Sequence, residues 1–196
     1  MAKLYFRYGA MNSGKSTAVL QVAHNYEERD MEIVLIKPEV DTKGNNQVIS
    51  RLGASRTVDV LLKPKQDIFQ IIAARKEAQP SLSCALIDEA QFLTQAQVSQ
   101  LFKVAIELNI PVICYGLRAD FQTKTFEGSG RLFELAHSIE ELKTICRCGK
   151  KAILNGRRVN DTFVASGSQV AIDGEQDVTY ESLCGNCYLK YVGDIA

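Results

Sequence analysis

The chain has no surplus of charge of either sign, its 23 basic and 23 acidic residues cancelling across 196 positions. A general nucleic-acid binder carries a basic face, so that class is excluded and no nucleic-acid partner is expected. No run approaches the ~18 apolar residues of a membrane-crossing helix, which excludes a membrane partner of that kind. Nor is a removable leader expected, because the N-terminus runs straight into a strand. These absences together predict a soluble, cytoplasmic chain. Histidine is scarce as well. His24 and His137 fall in helical segments away from every motif, which makes them structural or exposed. At 46% hydrophobic the chain can bury a sizeable core, and its length suits one large domain with, at most, a small appendage.

What is present begins at residue 9. Gly9-Ala10-Met11-Asn12-Ser13-Gly14-Lys15-Ser16 is a full G-x-x-x-x-G-K-S phosphate-binding loop. Its glycines let the backbone curl so that successive N–H groups face phosphate oxygens. Lys15 brings positive charge to the β- and γ-phosphates, and Ser16 offers a hydroxyl to Mg²⁺. The flanks agree: Lys3 to Tyr8 reads as a strand, and Ser16 to Tyr26 as a helix whose N-terminus adds phosphate affinity. The loop predicts a bound nucleoside triphosphate and leaves the fate of its γ-phosphate open.

Strands and helices then alternate. Glu32 to Lys37, closed by Pro38, Cys84 to Asp88 and Pro111 to Leu117 read as buried strands. Asp67 to Lys76, Thr94 to Asn109 and Gly130 to His137 read as helices, Thr94 and Gln97 forming a capping box. This pattern predicts an α/β fold of the P-loop NTPase, RecA-like type, a mostly parallel sheet with helices on both faces. Ligands then belong at the carboxyl ends of the strands.

That rule singles out Asp88, Glu89, Ala90 and Gln91, at the end of the strand C-A-L-I-D. An aspartate there, beside a phosphate loop, is a Walker B arrangement that holds Mg²⁺ directly or through water. Glu89 then lies near the γ-phosphate. It either polarises water, as in an ATPase, or deprotonates an alcohol, as in a kinase.

The last third changes character. Cys146 and Cys148 are followed, after 35 residues, by Cys184 and Cys187. Short gaps within pairs and a long loop between them predict a structural zinc site, four thiolates leaving no open position for catalysis; disulfides are the competing reading. Cys84 and Cys114 sit in apolar strands as core residues. The intervening loop, Gly149 to Leu183, is predicted to act as a lid over a ligand, with a short hairpin within Phe163 to Ile172; a zinc knuckle for partner binding is the alternative. The expected division is a nucleotide-binding domain over residues 1–143 and a zinc-binding domain with a lasso over 144–196.

The chain resembles the zinc-containing, homotetrameric thymidine kinases of bacteria and animal cytosol. The resemblance rests on Y-G-A-M-N-S-G-K-S (8–16), S-R-L-G (50–53), I-D-E-A-Q-F-L (87–93), Y-G-L-R-A-D-F (115–121), T-I-C-R-C-G-K-K-A (144–152) and Y-E-S-L-C-G-N-C (180–187). It implies ATP-dependent phosphorylation of thymidine and deoxyuridine to the 5′-monophosphate, a salvage step for DNA synthesis. It makes Glu89 the general base, Asp88 and Ser16 the Mg²⁺ ligands, and Gln91 a neighbour in the nucleotide site. Phe121 would stack near the thymine base, Tyr180 would pack on the nucleoside, and the main chain of Val170, Ala171, Ile172 and Asp173 would bond the base edge. Met11 and Leu117 would line the pocket of the 5-methyl group, and the four cysteines would hold zinc. Asp41-Thr42-Lys43 departs from the D-x-R of relatives. The segment Gly156-Arg157-Arg158-Val159 offers an arginine that would clamp phosphates when the loop closes. The different-class alternative is a zinc-stapled P-loop ATPase or nucleotide sensor without a nucleoside acceptor.

Overall fold

The computed structural model describes residues 1–39, 46–169 and 177–195. In chain order the strands are β1 (Leu4–Gly9), β2 (Glu32–Pro38), β3 (Gln47–Ile49), β4 (Ser55–Thr57), β5 (Val60–Leu62), β6 (Leu82–Ile87), β7 (Val112–Leu117), β8 (Ser138–Glu141), β9 (Thr144–Ile145), β10 (Lys151–Ala152), β11 (Leu154–Val159), β12 (Thr162–Val164) and β13 (Val178–Leu183). The α-helices are α1 (Lys15–Glu27), α2 (Ile68–Ala78), α3 (Gln95–Glu107), α4 (Glu127–Leu135) and α5 (Gly185–Tyr191).

Six strands form the central sheet in the order β5-β2-β6-β7-β1-β8. Every pairing in it is parallel. Both faces are covered, which is why its inner strands read as nearly unbroken apolar runs. Alternation still sorts their side chains. On one face Cys84, Leu86, Ile113 and Tyr115 pack with Val19 and Ala23 of α1. On the other, Ala85, Ile87, Val112 and Cys114 pack with Ile68, Ile72, Val98, Leu101 and Leu132 of α2, α3 and α4. Two apolar layers thus pack against the two faces of the sheet.

Local chemistry sets the helix starts. The Asp67 carboxylate accepts from Gln70 N (3.0 Å) at the start of α2. The Thr94–Gln97 capping box opens α3 as predicted, with both reciprocal bonds made. Most predicted bounds shift by one or two residues, and one helix differs by more. Helix α4 begins at Glu127 rather than Gly130 and ends before His137. Two glycines in its first turn hide the helix from a propensity argument, and Gly128 is there for clearance: a Cβ would lie 2.4 Å from Ala90 O. His137 therefore lies outside the helix. Its Nδ1 accepts from Leu4 N (3.1 Å) while its ring stacks on Phe102. His24, in α1, is exposed beside Glu28.

The remainder is antiparallel. β11 lies between β12 and β13 in one small sheet, and β9 pairs with β10 in another. The stretch predicted as a lid loop thus contains regular strands. Its hairpin is also displaced: Thr162–Val164 pairs backward with β11, across a two-residue turn at Asn160 and Asp161, both at positive φ. Asn and Asp tolerate that left-handed backbone, a signal upstream of the stretch assigned to the hairpin. Asp41, Thr42, Lys43, Val170, Ala171, Ile172 and Asp173 lie outside the described residues.

Candidate active site

The phosphate loop leaves β1 and enters α1 through two left-handed residues, Asn12 (φ 62°) and Gly14 (φ 78°). Gly9 admits no side chain, since a Cβ would lie 2.4 Å from Ser13 Oγ and 2.6 Å from Leu142 O. Lys15 folds back over its own loop, its Nζ donating to Ala10 O (2.8 Å) and Ser13 Oγ (3.2 Å). Burial pulls the Lys15 ammonium below its usual pKa, and Glu89 and Asp88 oppose that shift.

The second wall comes from the end of β6. Burial, then the charge of neighbouring Glu89, push the Asp88 carboxyl up to about 7 against the pull of Lys37 and Lys15. Glu89 itself is held at φ 51°, a left-handed backbone that costs a non-glycine residue about 1 kcal/mol or more. The strained residue opens a 3-10 turn, Ala90–Phe92, whose buried Gln91 faces back toward it. Gln91 Nε2 donates to Glu89 Oε2, and its Oε1 accepts from Leu117 N (3.1 Å). Gly116 is small for this turn: a Cβ there would meet Gln91 Oε1 at 3.0 Å. One buried amide thus ties the carboxylate after β6 to the backbone at the end of β7.

A cavity of about 400 Å³ opens between these walls. Met11, Asn12, Ser13, Gly14, Lys15, Ser16, Glu89 and Leu117 line it, together with Arg51 and Leu52. Gly9, Ala10, Asp88, Ala90 and Gln91 are not among its lining residues. Arg51 and Leu52 belong to the S-R-L-G turn, which carried resemblance but no assigned role. That turn is pinned by Ser50 Oγ to Thr17 Oγ1 (2.7 Å) and made tight by Gly53 at φ 92°.

Phe121 and Tyr180 form a second cluster rather than part of that cavity lining. The Arg157 Cζ lies over the buried Phe121 ring, 3.8 Å from its centroid, and Arg157 Nε donates to Tyr180 Oη (3.0 Å). Its other nitrogens donate to Ser168 O (2.7 Å) and Gln169 O (3.1 Å). Arg157 is thus engaged within its own cluster, and Arg158 is paired with Asp161 (2.9 Å). Sequence reasoning also missed Asn155 and Ser182. Both are buried, and both bond the main chain of Met11. The available signal was the period-2 spacing of N-x-R in β11 and Y-x-S in β13, which puts each pair on one face.

The four cysteines converge. The Sγ atoms of Cys146, Cys148, Cys184 and Cys187 all lie within 4.8 Å of one another, and none is disulfide-bonded. Thiolates about 2.3 Å from one metal in tetrahedral geometry stand about 3.8 Å apart, so the donor set fits a single ion. Gly149, at φ 82°, closes the tight knuckle that makes the C-x-C half workable, with its N–H on Cys146 O (2.8 Å). Cys84 and Cys114 are buried in the sheet, as predicted.

The family model for thymidine kinase matches residues 2–188. The chain belongs to the thymidine kinase family. It is 48% identical over 189 residues to the thymidine kinase of Pasteurella multocida, covering 94% of this chain and 95% of the relative. It is 43% identical to that of Ruegeria pomeroyi, over 99% and 97%. Against that of enterobacteria phage T4 it is 44% identical, over 94% of each. Among solved structures, an ATPase domain superposes with a TM-score of 0.51 at 16% identity, over 99% of this chain and 84% of that one. That likeness shows the P-loop ATPase-like fold. Membership of the family makes the chain a kinase, and no helix among the described residues is long and apolar enough to cross a membrane.

Proposed function

We propose that the protein transfers the γ-phosphoryl group of ATP to the 5′-hydroxyl of thymidine and deoxyuridine, a salvage step for DNA synthesis in the cytoplasm. The observation that carries this reading is the shared cavity. Lys15 and Ser16 from the donor loop face Glu89 and Leu117 across one space of about 400 Å³. In the reaction the 5′-oxygen attacks Pγ, the bond to the β,γ-bridging oxygen breaks, and ADP leaves. Glu89 takes the 5′-hydroxyl proton, its carboxylate aimed by Gln91. Lys15 and the backbone amides of residues 9–16 offset charge on the phosphates. Asp88 and Ser16 would hold Mg²⁺, which would offset negative charge on the triphosphate. A buried carboxyl pushed up to about 7 is a group that a divalent cation returns to its charged form.

On the acceptor side, Met11 and Leu117 bound the cavity where a 5-methyl group would sit. Phe121 and Tyr180, braced by Arg157, pack against the nucleoside, and Val170 to Asp173 supply main-chain bonds to the base edge. Residues 1–143 act as the nucleotide-binding domain and 144–196 as a metal-held lasso, with zinc at the four cysteines because soft thiolates favour it. The assembly in this reading is a homotetramer.

The test is an acceptor panel with γ-labelled ATP. Label should pass to thymidine and deoxyuridine, not to deoxycytidine, deoxyguanosine or water. Release to water alone would refute the kinase reading in favour of an ATPase. Glu89→Gln should lower kcat by about 10²- to 10⁴-fold with the fold intact.

A further inference from the structure

The metal-bearing part of the chain touches the phosphate loop at its centre. Asn155 and Ser182 are direct partners in the β11–β13 ladder, so their side chains share one face. Both are buried, at 3% and 5% exposure. Asn155 Oδ1 accepts from Met11 N (2.7 Å), while the Ser182 hydroxyl donates to Met11 O. The peptide groups on either side of one loop residue are thus gripped from the same two-stranded face. A third contact follows one residue on, where Thr144 Oγ1 donates to Asn12 O (3.3 Å). Asn155 also donates through Nδ2 to Ala119 O (2.8 Å), two residues beyond β7.

Two of the three gripping strands lead into a cysteine, and the third, β11, is paired along its length with one of them. Ser182 stands two residues before Cys184, and Thr144 two residues before Cys146. The four sulfur atoms lie within 4.8 Å of one another, so one ion would tie both strands together at their ends. Nothing in phosphate-loop chemistry calls for this contact: the G-x-x-x-x-G-K-S turn already closes through Gly9, Gly14 and the Lys15–Ala10 bond.

We propose that Asn155, Ser182 and Thr144 are positioning residues that hold the phosphate loop in its nucleotide-binding shape, so that the cysteine-bound metal governs the donor half of the site. The inference rests on the kinase reading above. A loop whose Met11 peptides are released has more conformations to give up when triphosphate binds, and the loss falls on the nucleotide. Thymidine meets the Met11 side chain, not the gripped peptide groups, and is affected less.

The test measures ADP binding by titration calorimetry and both KM values, on the metal-loaded enzyme. Ser182→Ala should weaken ADP binding and raise the KM for ATP about 5- to 10-fold, one hydrogen bond's worth. The KM for thymidine should move less than about 2-fold. Ser182→Thr, which keeps the hydroxyl, should restore the ATP value, a rescue that a merely structural role does not require. Thr144→Val, at a partly exposed position, should shift the same parameter in the same direction by a smaller factor, and covers the case in which Ser182→Ala does not fold. Unchanged ADP affinity in folded Ser182→Ala and Thr144→Val, or equal shifts for both substrates, would overturn the proposal. If the parent chain bound no nucleotide at all, the kinase reading would fall instead.

Discussion

Replacing Gln91 by leucine tests what aims Glu89. The Gln91 amide is 2% exposed and joins two elements, donating to Glu89 Oε2 and accepting from Leu117 N. Leucine has similar bulk and offers neither atom. The Leu117 N–H then loses its partner at a partly buried site, a cost of about 1–3 kcal/mol. Glu89 is half-buried and exchanges the amide for water, which adds about 0.5–1.5 kcal/mol. The sum centres near 3 kcal/mol, and at about 2–4 °C per kcal/mol for a chain of this size Tm should fall by roughly 6–12 °C. Turnover should fall about 10-fold or more even well below that transition, because Gln91 supplies the one side-chain hydrogen bond to the Glu89 carboxylate among the described residues. The KM for ATP should stay within about 2-fold, since Lys15 and the loop keep their own contacts. The discriminating assay is a double-mutant cycle on kcat. In a Glu89→Gln background, Gln91→Leu should remove no further turnover, because both substitutions act through one carboxylate. Full turnover in Gln91→Leu, or losses that multiply in the double variant, would refute the reasoning.

Arg157→Leu should raise the KM for thymidine about 10-fold with little effect on that for ATP, because the stack on Phe121 and the bonds to Tyr180, Ser168 and Gln169 vanish together while the phosphate loop is untouched. Metal analysis should find about one equivalent of zinc per chain; after chelation four thiols should alkylate, while Cys84 and Cys114 resist until the chain unfolds. Burial pushes the Cys84 thiol up to about 12 from 9.0, so the folded chain keeps a proton that the unfolded chain releases. That contribution is intact below pH 9 and is lost as pH rises from 9 toward 12, at up to ~1.36 kcal/mol per pH unit. Cys84→Ala should flatten that slope in urea titrations over the same range, and an unchanged slope would refute the assignment.

Much of the sheet was legible because its parallel strands are buried on both faces. Runs such as I-V-L-I in β2 and C-A-L-I in β6 have no other stable place. The capping box of α3 was legible for a local reason, its two bonds spanning only Thr94 to Gln97. The edges were not. β3, β4, β5 and β8 are three or four residues long, and such short segments carry too few alternations to register against turns. α4 stayed partly hidden because Gly128 answers to the backbone oxygens of Ala90, Gln91 and Leu93, neighbours that sequence order does not disclose.

The same division runs through the site. Gly9 to Ser16, Asp88 with Glu89, and the four cysteines were determined by the sequence alone, because each chemistry demands particular atoms at fixed short spacing. What tertiary structure decided is how those pieces engage. The strand order brings Lys15 and Glu89 to one cavity, and Gln91 bridges β6 to β7. It also set Arg157 against Phe121 and Tyr180, and Asn155 and Ser182 on Met11. Those contacts span from 23 to 171 residues of chain. No local spacing rule reaches that far; only the packing of one sheet against another's loop selects such partners.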